Sequence, residues 1–214
     1  MSKKLIFLAI LFLIIGGLFY FLFIWEIPEE QETSQGPTLF AKEDYKIDER
    51  EDGKYIVVEK VGLTCKVPEN WDIEIKRTPD IEPQYWIDLY SPDIATTTND
   101  ILTDGCVIDI MAITAKQTNE KIRENIKLLK ENPEKSNEIK EDYILAKEVK
   151  IVKIDESEAI EIISQENKNL GQAINIDIPI KSDKWISFNI AFPLSYKEKC
   201  SPIWEEFIKN IIIE

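Results

Sequence analysis

The chain has 214 residues, enough for one domain with accessory segments. Its formal net charge is −14, and a surface of that sign repels phosphate backbones, so nucleic acid is not an expected partner. The sequence contains no His, which removes Ser-His-Asp and Cys-His catalysis and the commonest transition-metal ligand.

An uncharged apolar run, Leu5 to Trp25, predicts a transmembrane helix, because its length is roughly 30 Å in helical form and matches a bilayer core. It is longer than the apolar part of a signal peptide and ends in bulky residues rather than a small-residue cleavage site. Lys3 and Lys4 precede the run and acidic residues follow it. The positive-inside rule therefore places residues 1–4 in the cytoplasm, residues 5–25 in the cell membrane and the remainder outside.

Residues 26–38 are acidic, contain Pro28, Gly36 and Pro37, and predict a linker. Residues 39–214 are the predicted extracytoplasmic domain. Solubility is the favoured explanation for its acidity, and attraction of cations or basic partners is the alternative.

Alternating apolar and polar residues predict the first strands of the domain. These are residues 55–58, 63–67, 71–75 and 85–90, and the polar stretch 91–105 is a predicted loop. Residues 106–115 are almost wholly apolar and predict a central strand buried on both faces. Thr118 is the predicted N-cap of a helix that ends at Asn132-Pro133.

The second half of the chain predicts two hairpins and a terminal helix. Residues 149–154 and 158–164 form the first hairpin, and residues 174–180 and 186–192 form the second. Ser201 and Pro202 predict the start of a helix whose buried stripe includes Ile211 and Ile212. About eight strands with two amphipathic helices predict an α+β fold, a central antiparallel sheet with helices packed on its faces.

The order of these signals resembles the PsbP-like family. The likeness rests on the segment 62–71, which ends in Pro-x-x-Trp, on Leu89-Tyr90-Ser91-Pro92 and on the apolar strand from Gly105. The mid-chain helix, the late hairpins and the closing helix follow in the same order, so the resemblance covers about residues 50–213. It implies an antiparallel sheet with helices on its faces and a binding or assembly role without catalysis.

Outside the cytoplasm a disulfide is permitted, and the chain has three Cys. Cys65 and Cys106 both fall on predicted strands, so we predict that they are bonded and that Cys200 is a free thiol. Trp71, Tyr85, Trp86 and Tyr90 form an aromatic-rich zone, for which core packing is favoured over a binding patch.

Three loop carboxylates, Asp93, Asp100 and Asp104, are weak candidates for a Ca²⁺ site without EF-hand spacing. Asp109 lies in the apolar strand and needs a partner or an exposed face; a structural role is favoured. We predict no cofactor and no catalytic residue. The function expected is a membrane-anchored binding or assembly module, with other extracytoplasmic proteins as partners. A carboxylate- or thiol-based enzyme and a cation-binding domain are the alternatives.

Overall fold

The computed structural model describes residues 38–79, 84–97, 101–141, 143, 145–167, 171–181 and 183–214. The chain divides into two compact units, residues 1–36 and 37–214, and all the described residues belong to the second. The predicted transmembrane helix, residues 5–25, lies outside the described residues. Among the residues that are described, no helix is long and apolar enough to cross a bilayer.

Fourteen strands and three helices are formed by the described residues. The strands are β1 Thr38–Leu39, β2 Lys46–Arg50, β3 Gly53–Val58, β4 Leu63–Lys66, β5 Asp72–Arg77, β6 Tyr85–Tyr90, β7 Ala95–Thr96, β8 Leu102–Asp104, β9 Val107–Thr114, β10 Ala146–Ile154, β11 Ser157–Ser164, β12 Gln172–Pro179, β13 Lys184–Phe192 and β14 Ile211–Ile213. The helices are α1 Lys116–Glu131, α2 Ser136–Lys140 and α3 Lys197–Lys209. The molecule is therefore mostly antiparallel sheet with a few helices, as the sequence predicts at that level.

One large sheet organises the domain, with strand order β10-β11-β12-β13-β9-β6-β5 and every pair antiparallel. β1 pairs with β9 beyond the end of β6. A smaller sheet has the order β14-β4-β3-β2, and β7 and β8 form a separate pair. β9 is central as predicted, and both predicted hairpins, β10-β11 and β12-β13, are present.

The two faces of the large sheet bury different residues because side chains alternate along each strand. We call inner the face that carries Leu89, Ile110 and Phe188, which form one core with the small sheet and α3. The ring of Phe188 meets Phe207 of α3 edge-to-face at 5.9 Å. On the opposite, outer face, the buried stripe of α1 packs on the β10-β11 end of the sheet.

Two helix boundaries and the chain end differ from the predictions. α1 begins at Lys116, two residues before the predicted cap Thr118. α3 begins at Lys197, so Pro202 lies inside the helix rather than at its first position. Ile211 and its neighbours form β14 against β4 instead of extending the helix, because Asn210 ends α3 and the apolar run completes the small sheet.

The predicted disulfide between Cys65 and Cys106 is wrong. The structure bonds Cys106 to Cys200, with Cα atoms 6.0 Å apart, and leaves Cys65 as a buried free thiol. Both predicted partners do lie in or beside strands, but those strands belong to different sheets: Cys65 is in β4, and Cys106 precedes β9. Cys200 is brought to the start of β9 by α3, a juxtaposition that sequence spacing does not reveal.

Candidate functional sites

A groove of about 860 Å³ lies between the small sheet and α3. Three segments form it: the β2-β3 turn, the segment that follows β4, and one side of α3. Its lining includes the apolar residues Trp71, Ile203 and Phe207, of which Ile203 is half-buried and the other two are buried. Four carboxylates and two lysines line it as well: Glu51, Asp52, Glu69, Glu206, Lys54 and Lys66. We call this feature the acidic groove.

The turn after β4 sets the shape of the acidic groove. The backbone N–H of Trp71 donates to the carbonyl of Pro68 at 3.2 Å, which closes the turn. Asn70 has φ of 62°, a left-handed conformation that Asn tolerates better than most residues. The turn delivers Trp71, only 6% exposed, into the core beside the groove while Glu69 stays exposed at its rim.

The acidic groove carries a net negative charge because its four carboxylates outnumber its two lysines. Lys66 pairs with Asp52 at 3.0 Å, and the Tyr55 hydroxyl donates to the same carboxylate at 2.6 Å. These two hydrogen bonds lower the pKa of Asp52 below its ordinary value. Within the described part of the chain, neither Glu69 nor Glu206 forms an ion pair, so their charges are available to a cationic ligand.

A pair of carboxylates lies on the outer face of the large sheet, where Asp88 of β6 stands directly opposite Asp109 of β9. The Tyr90 hydroxyl donates to Asp88 Oδ2 at 2.8 Å, and Asn189 Nδ2 donates to Asp109 Oδ2 at 2.9 Å. Asp88 Oδ1 is buried and has no hydrogen-bond donor among the described residues. Burial, followed by the charge of Asp88, raises the pKa of Asp109 to about 6. Asp109 therefore holds a proton to a higher pH than an exposed aspartate does.

The carboxylate pair belongs to a row of polar side chains that crosses five strands of the outer face. In register, the row runs Glu74, Asp88, Asp109, Asn189, Asn175. Asp109 therefore has the partner that its place in an apolar strand requires. The prediction that β9 is buried on both faces is wrong, because Val107, Asp109 and Met111 on its outer face are half-buried.

A second buried carboxylate, Asp177, lies beside this row on β12. Its Oδ1 accepts from Asn175 Nδ2 at 2.7 Å and from Ser187 Oγ at 2.8 Å. Burial raises its pKa to about 6, against the opposing effect of these two hydrogen bonds. Its hydrogen bonds are local and satisfied, so its role is structural.

The three carboxylates predicted as weak candidates for a Ca²⁺ site have different surroundings. Asp93 pairs with Lys199 of α3, which lowers the pKa of that carboxyl. Asp104 is in β8, opposite Ala95, and Asp100 lies outside the described residues. The described residues contain no group of three or more His, Cys, Asp or Glu arranged to hold a metal. The three-carboxylate set as a whole stays a prediction.

The four residues of the predicted aromatic zone do not lie together, because side chains alternate between the two faces of a strand. Trp71 and Tyr85 pack with the inner core, whereas Trp86 and Tyr90 are half-buried on strand positions that face outward. The thiols are not available for chemistry, because Cys106 and Cys200 are bonded and burial raises the pKa of Cys65 to about 12. The acidic groove was not predicted, since its residues come from three separated segments.

Comparison with known proteins adds little. No protein-family model matches the sequence, and the search of curated proteins gave no match. One solved structure, a protein of Bacteroides thetaiotaomicron VPI-5482 at 1.50 Å resolution, matches 72% of this chain at 16% identity with a TM-score of 0.38. The chain spans 45% of the length of that protein. A TM-score this low is no basis for assigning a shared fold or a function.

Proposed function

We propose that this chain is a non-catalytic binding or assembly module, held at the outer side of the cell membrane by its N-terminal helix. The observation that carries the proposal is the acidic groove. A concave surface that combines apolar residues with a few charged groups at its rim is the usual form of a binding site. The ligand it fits is a protein segment that combines apolar with basic side chains.

The electrostatics of the groove support a basic partner. Glu51, Glu69 and Glu206 are exposed at the rim, and the domain as a whole is strongly acidic. Complementary charge accelerates encounter and selects against acidic partners. Apolar side chains of the partner would pack on Ile203, which is half-buried in the free domain.

Two observations support the extracytoplasmic location. The apolar run 5–25 with its flanking charges favours an anchor with the domain outside. The Cys106–Cys200 disulfide fits an oxidising compartment, since such bonds rarely persist in the cytosol. The PsbP-like resemblance belongs to the proposal too, and an antiparallel sheet with helices on its faces is compatible with it.

Binding of a synthetic peptide tests the groove. The full chain, in nanodiscs of zwitterionic lipid, is titrated with a fluorescent peptide of alternating Lys and Leu. Glu69→Lys with Glu206→Lys should weaken binding at least about tenfold, the equivalent of about 1.4 kcal/mol. The matched control reverses two exposed carboxylates outside the groove, Glu120→Lys and Glu141→Lys, and should change the affinity little. Equal weakening in both variants would mean that only net charge matters, and the groove proposal would then be wrong.

Labelling of intact cells tests the location. A membrane-impermeant amine reagent should modify the lysines of residues 121–199, and tryptic peptides analysed without reduction should contain Cys106 linked to Cys200. If those lysines are shielded until the cells are lysed, the proposed topology is refuted.

A catalytic alternative rests on the Asp88–Asp109 pair. Hydrolases that use two carboxyl groups require one acid with a raised pKa near a second carboxylate, and Asp109 meets that condition. However, Asp88 is buried and Asp109 half-buried in the sheet, and neither of them lines the acidic groove. Hydrolysis of chromogenic glycosides or esters that disappears in Asp109→Asn would favour this alternative; activity that persists in the variant would remove it.

A further inference from the structure

A second groove, of about 750 Å³, lies between α1 and the end of the β10-β11 hairpin. Its cations come from both elements: Arg123, Lys127 and Lys130 from α1, and Lys153 from β10. Two carboxylates of the hairpin, Glu156 and Glu158, also line it. Four cations against two carboxylates make this local surface positive in a chain whose net charge is −14. We call it the basic groove.

Two of these cations meet no opposing charge among the described residues. Lys130 pairs with Glu158 at 2.7 Å and Lys153 pairs with Glu156 at 2.9 Å, so both hairpin carboxylates are already used. Arg123 is fixed by hydrogen bonds to neutral groups, from its Nε to Asn119 Oδ1 at 2.8 Å and from its Nη2 to the Ile180 carbonyl at 2.6 Å. Within the described part of the chain, no carboxylate pairs with Arg123 or Lys127. These two residues lie one helical turn apart and therefore on the same side of α1.

The groove lies on the outer face of the large sheet, because β10, β11 and β12 all contribute residues to its lining. β10 ends the large sheet, and from Lys147 to Ile154 its backbone bonds only to β11 among the described residues. α2 packs beside the first half of β10, where Ile139 joins the cluster around Val149. The second half, which includes Ile151 and Val152, lines the groove instead. A chain in the groove therefore packs across the faces of β10, β11 and β12 beside α1, and not along the free edge of β10.

We propose that the basic groove docks a segment of a partner protein that combines acidic with apolar side chains. The acidic residues would meet Arg123 and Lys127, and the apolar residues would pack on Ile126, Ile151 and Pro179. This surface shares no residue with the acidic groove, so one domain would hold two partners of opposite charge.

The cations of the basic groove have two other possible roles, which are to protect the strand edge from non-specific pairing and to bind an anionic bilayer. Each of these roles explains fewer features of the groove. Lysines on an edge strand discourage non-specific pairing, which suits Lys153 but not the cations of α1, since these are not on the edge. An anionic bilayer is flat on the scale of the domain and is contacted by protruding side chains, whereas these cations line a concave surface with an apolar floor.

The test uses the full chain in zwitterionic nanodiscs and a fluorescent peptide of alternating Glu and Val that matches the nine residues of β10 in length. Lys127→Glu with Lys153→Glu should weaken binding at least about tenfold. The matched control, Lys116→Glu with Lys209→Glu, changes the net charge equally at exposed sites outside the groove and should bind within about twofold of the parent. Circular dichroism verifies that both variants fold.

A second readout reports the mode of binding. Modification of Lys127 and Lys153 by an amine reagent should slow when the peptide binds, because the peptide covers both side chains. The proposal is overturned by equal weakening in both variants, by no saturable binding, or by unchanged modification of these two lysines. Slower modification of both lysines in nanodiscs rich in phosphatidylglycerol, without peptide, would assign the groove to anionic lipid and overturn it as well. Failure of this test would not affect the proposal for the acidic groove. That proposal is tested with the Lys-Leu peptide and with variants at other residues.

Discussion

Replacement of Asp109 by Asn should stabilise the folded domain at neutral pH and leave its stability nearly unchanged in acid. The reason is that burial and the charge of Asp88 raise the pKa of Asp109 to about 6, from an ordinary value of 3.8. The folded state therefore holds the proton more tightly than the unfolded chain does. The stabilisation linked to that proton is fully present below pH 3.8 and is lost as the pH rises to about 6.

The magnitude follows from the difference between the two pKa values. At about 1.4 kcal/mol per pH unit, the ionised Asp109 destabilises the folded state at neutral pH by about 3 kcal/mol at most. Partial exposure of the side chain reduces this figure, so about 1–2 kcal/mol is the expected gain in Asp109→Asn. The amide introduced by the substitution can still accept the hydrogen bond from Asn189, and its NH₂ group can donate to the unpartnered Oδ1 of Asp88.

Urea unfolding of the full chain in detergent, followed by tryptophan fluorescence at pH 4 and at pH 7.5, measures the effect. The stabilisation linked to protonation of Asp177 is lost over the same pH range. This loss is the same in parent and variant, so the difference between their free energies of unfolding reports on Asp109 alone. Glu120→Gln, an exposed carboxylate on α1, serves as the control and should show no pH-dependent difference. Asp109→Ala removes the charge without supplying a donor to Asp88 and should gain less than Asn. An Asp109→Asn effect of the same size at both pH values would refute the raised pKa of Asp109.

Three further predictions concern stability. Removal of the disulfide with Cys106→Ser and Cys200→Ser should lower the free energy of unfolding by about 2–5 kcal/mol, because the bond spans 94 residues and restricts the unfolded chain. Phe188→Ala should lower it by about 3–5 kcal/mol, since the ring is fully buried in the inner core. Gly62→Ala should release the chain end, because Gly62 has φ of +66° and its added Cβ would meet the backbone of Glu214; hydrogen exchange in β14 measures this release.

Controls for these three differ. Cys65→Ser should leave the Cys106–Cys200 crosslink intact, and peptide maps that place Cys65 in a disulfide would contradict the structure. Ile47→Ala, at a 45% exposed position, should change stability far less than Phe188→Ala does. Unchanged exchange in β14 of Gly62→Ala would show that the close approach to Glu214 does not hold the chain end.

Local patterns determined most of the secondary structure. The alternation of Ile174, Ile176 and Ile178 with polar neighbours marked β12, and the same pattern marked β13 and the turn between them. Pro133 marked the end of α1, since proline cannot continue a helix. Such signals are readable because each depends on residues a few positions apart, which share one strand face or one helical turn.

Only the tertiary structure decided which segments meet. Ile211 reads equally well as the end of a helical stripe or as a strand, and the free edge of β4 selects the strand. Cys106 finds Cys200 rather than Cys65 because α3 crosses the start of β9 while β4 joins another sheet. The facing of Asp88 and Asp109 depends on the register between β6 and β9, and a shift of one residue would separate them. Both grooves likewise join residues distant in sequence, and no local pattern records such contacts.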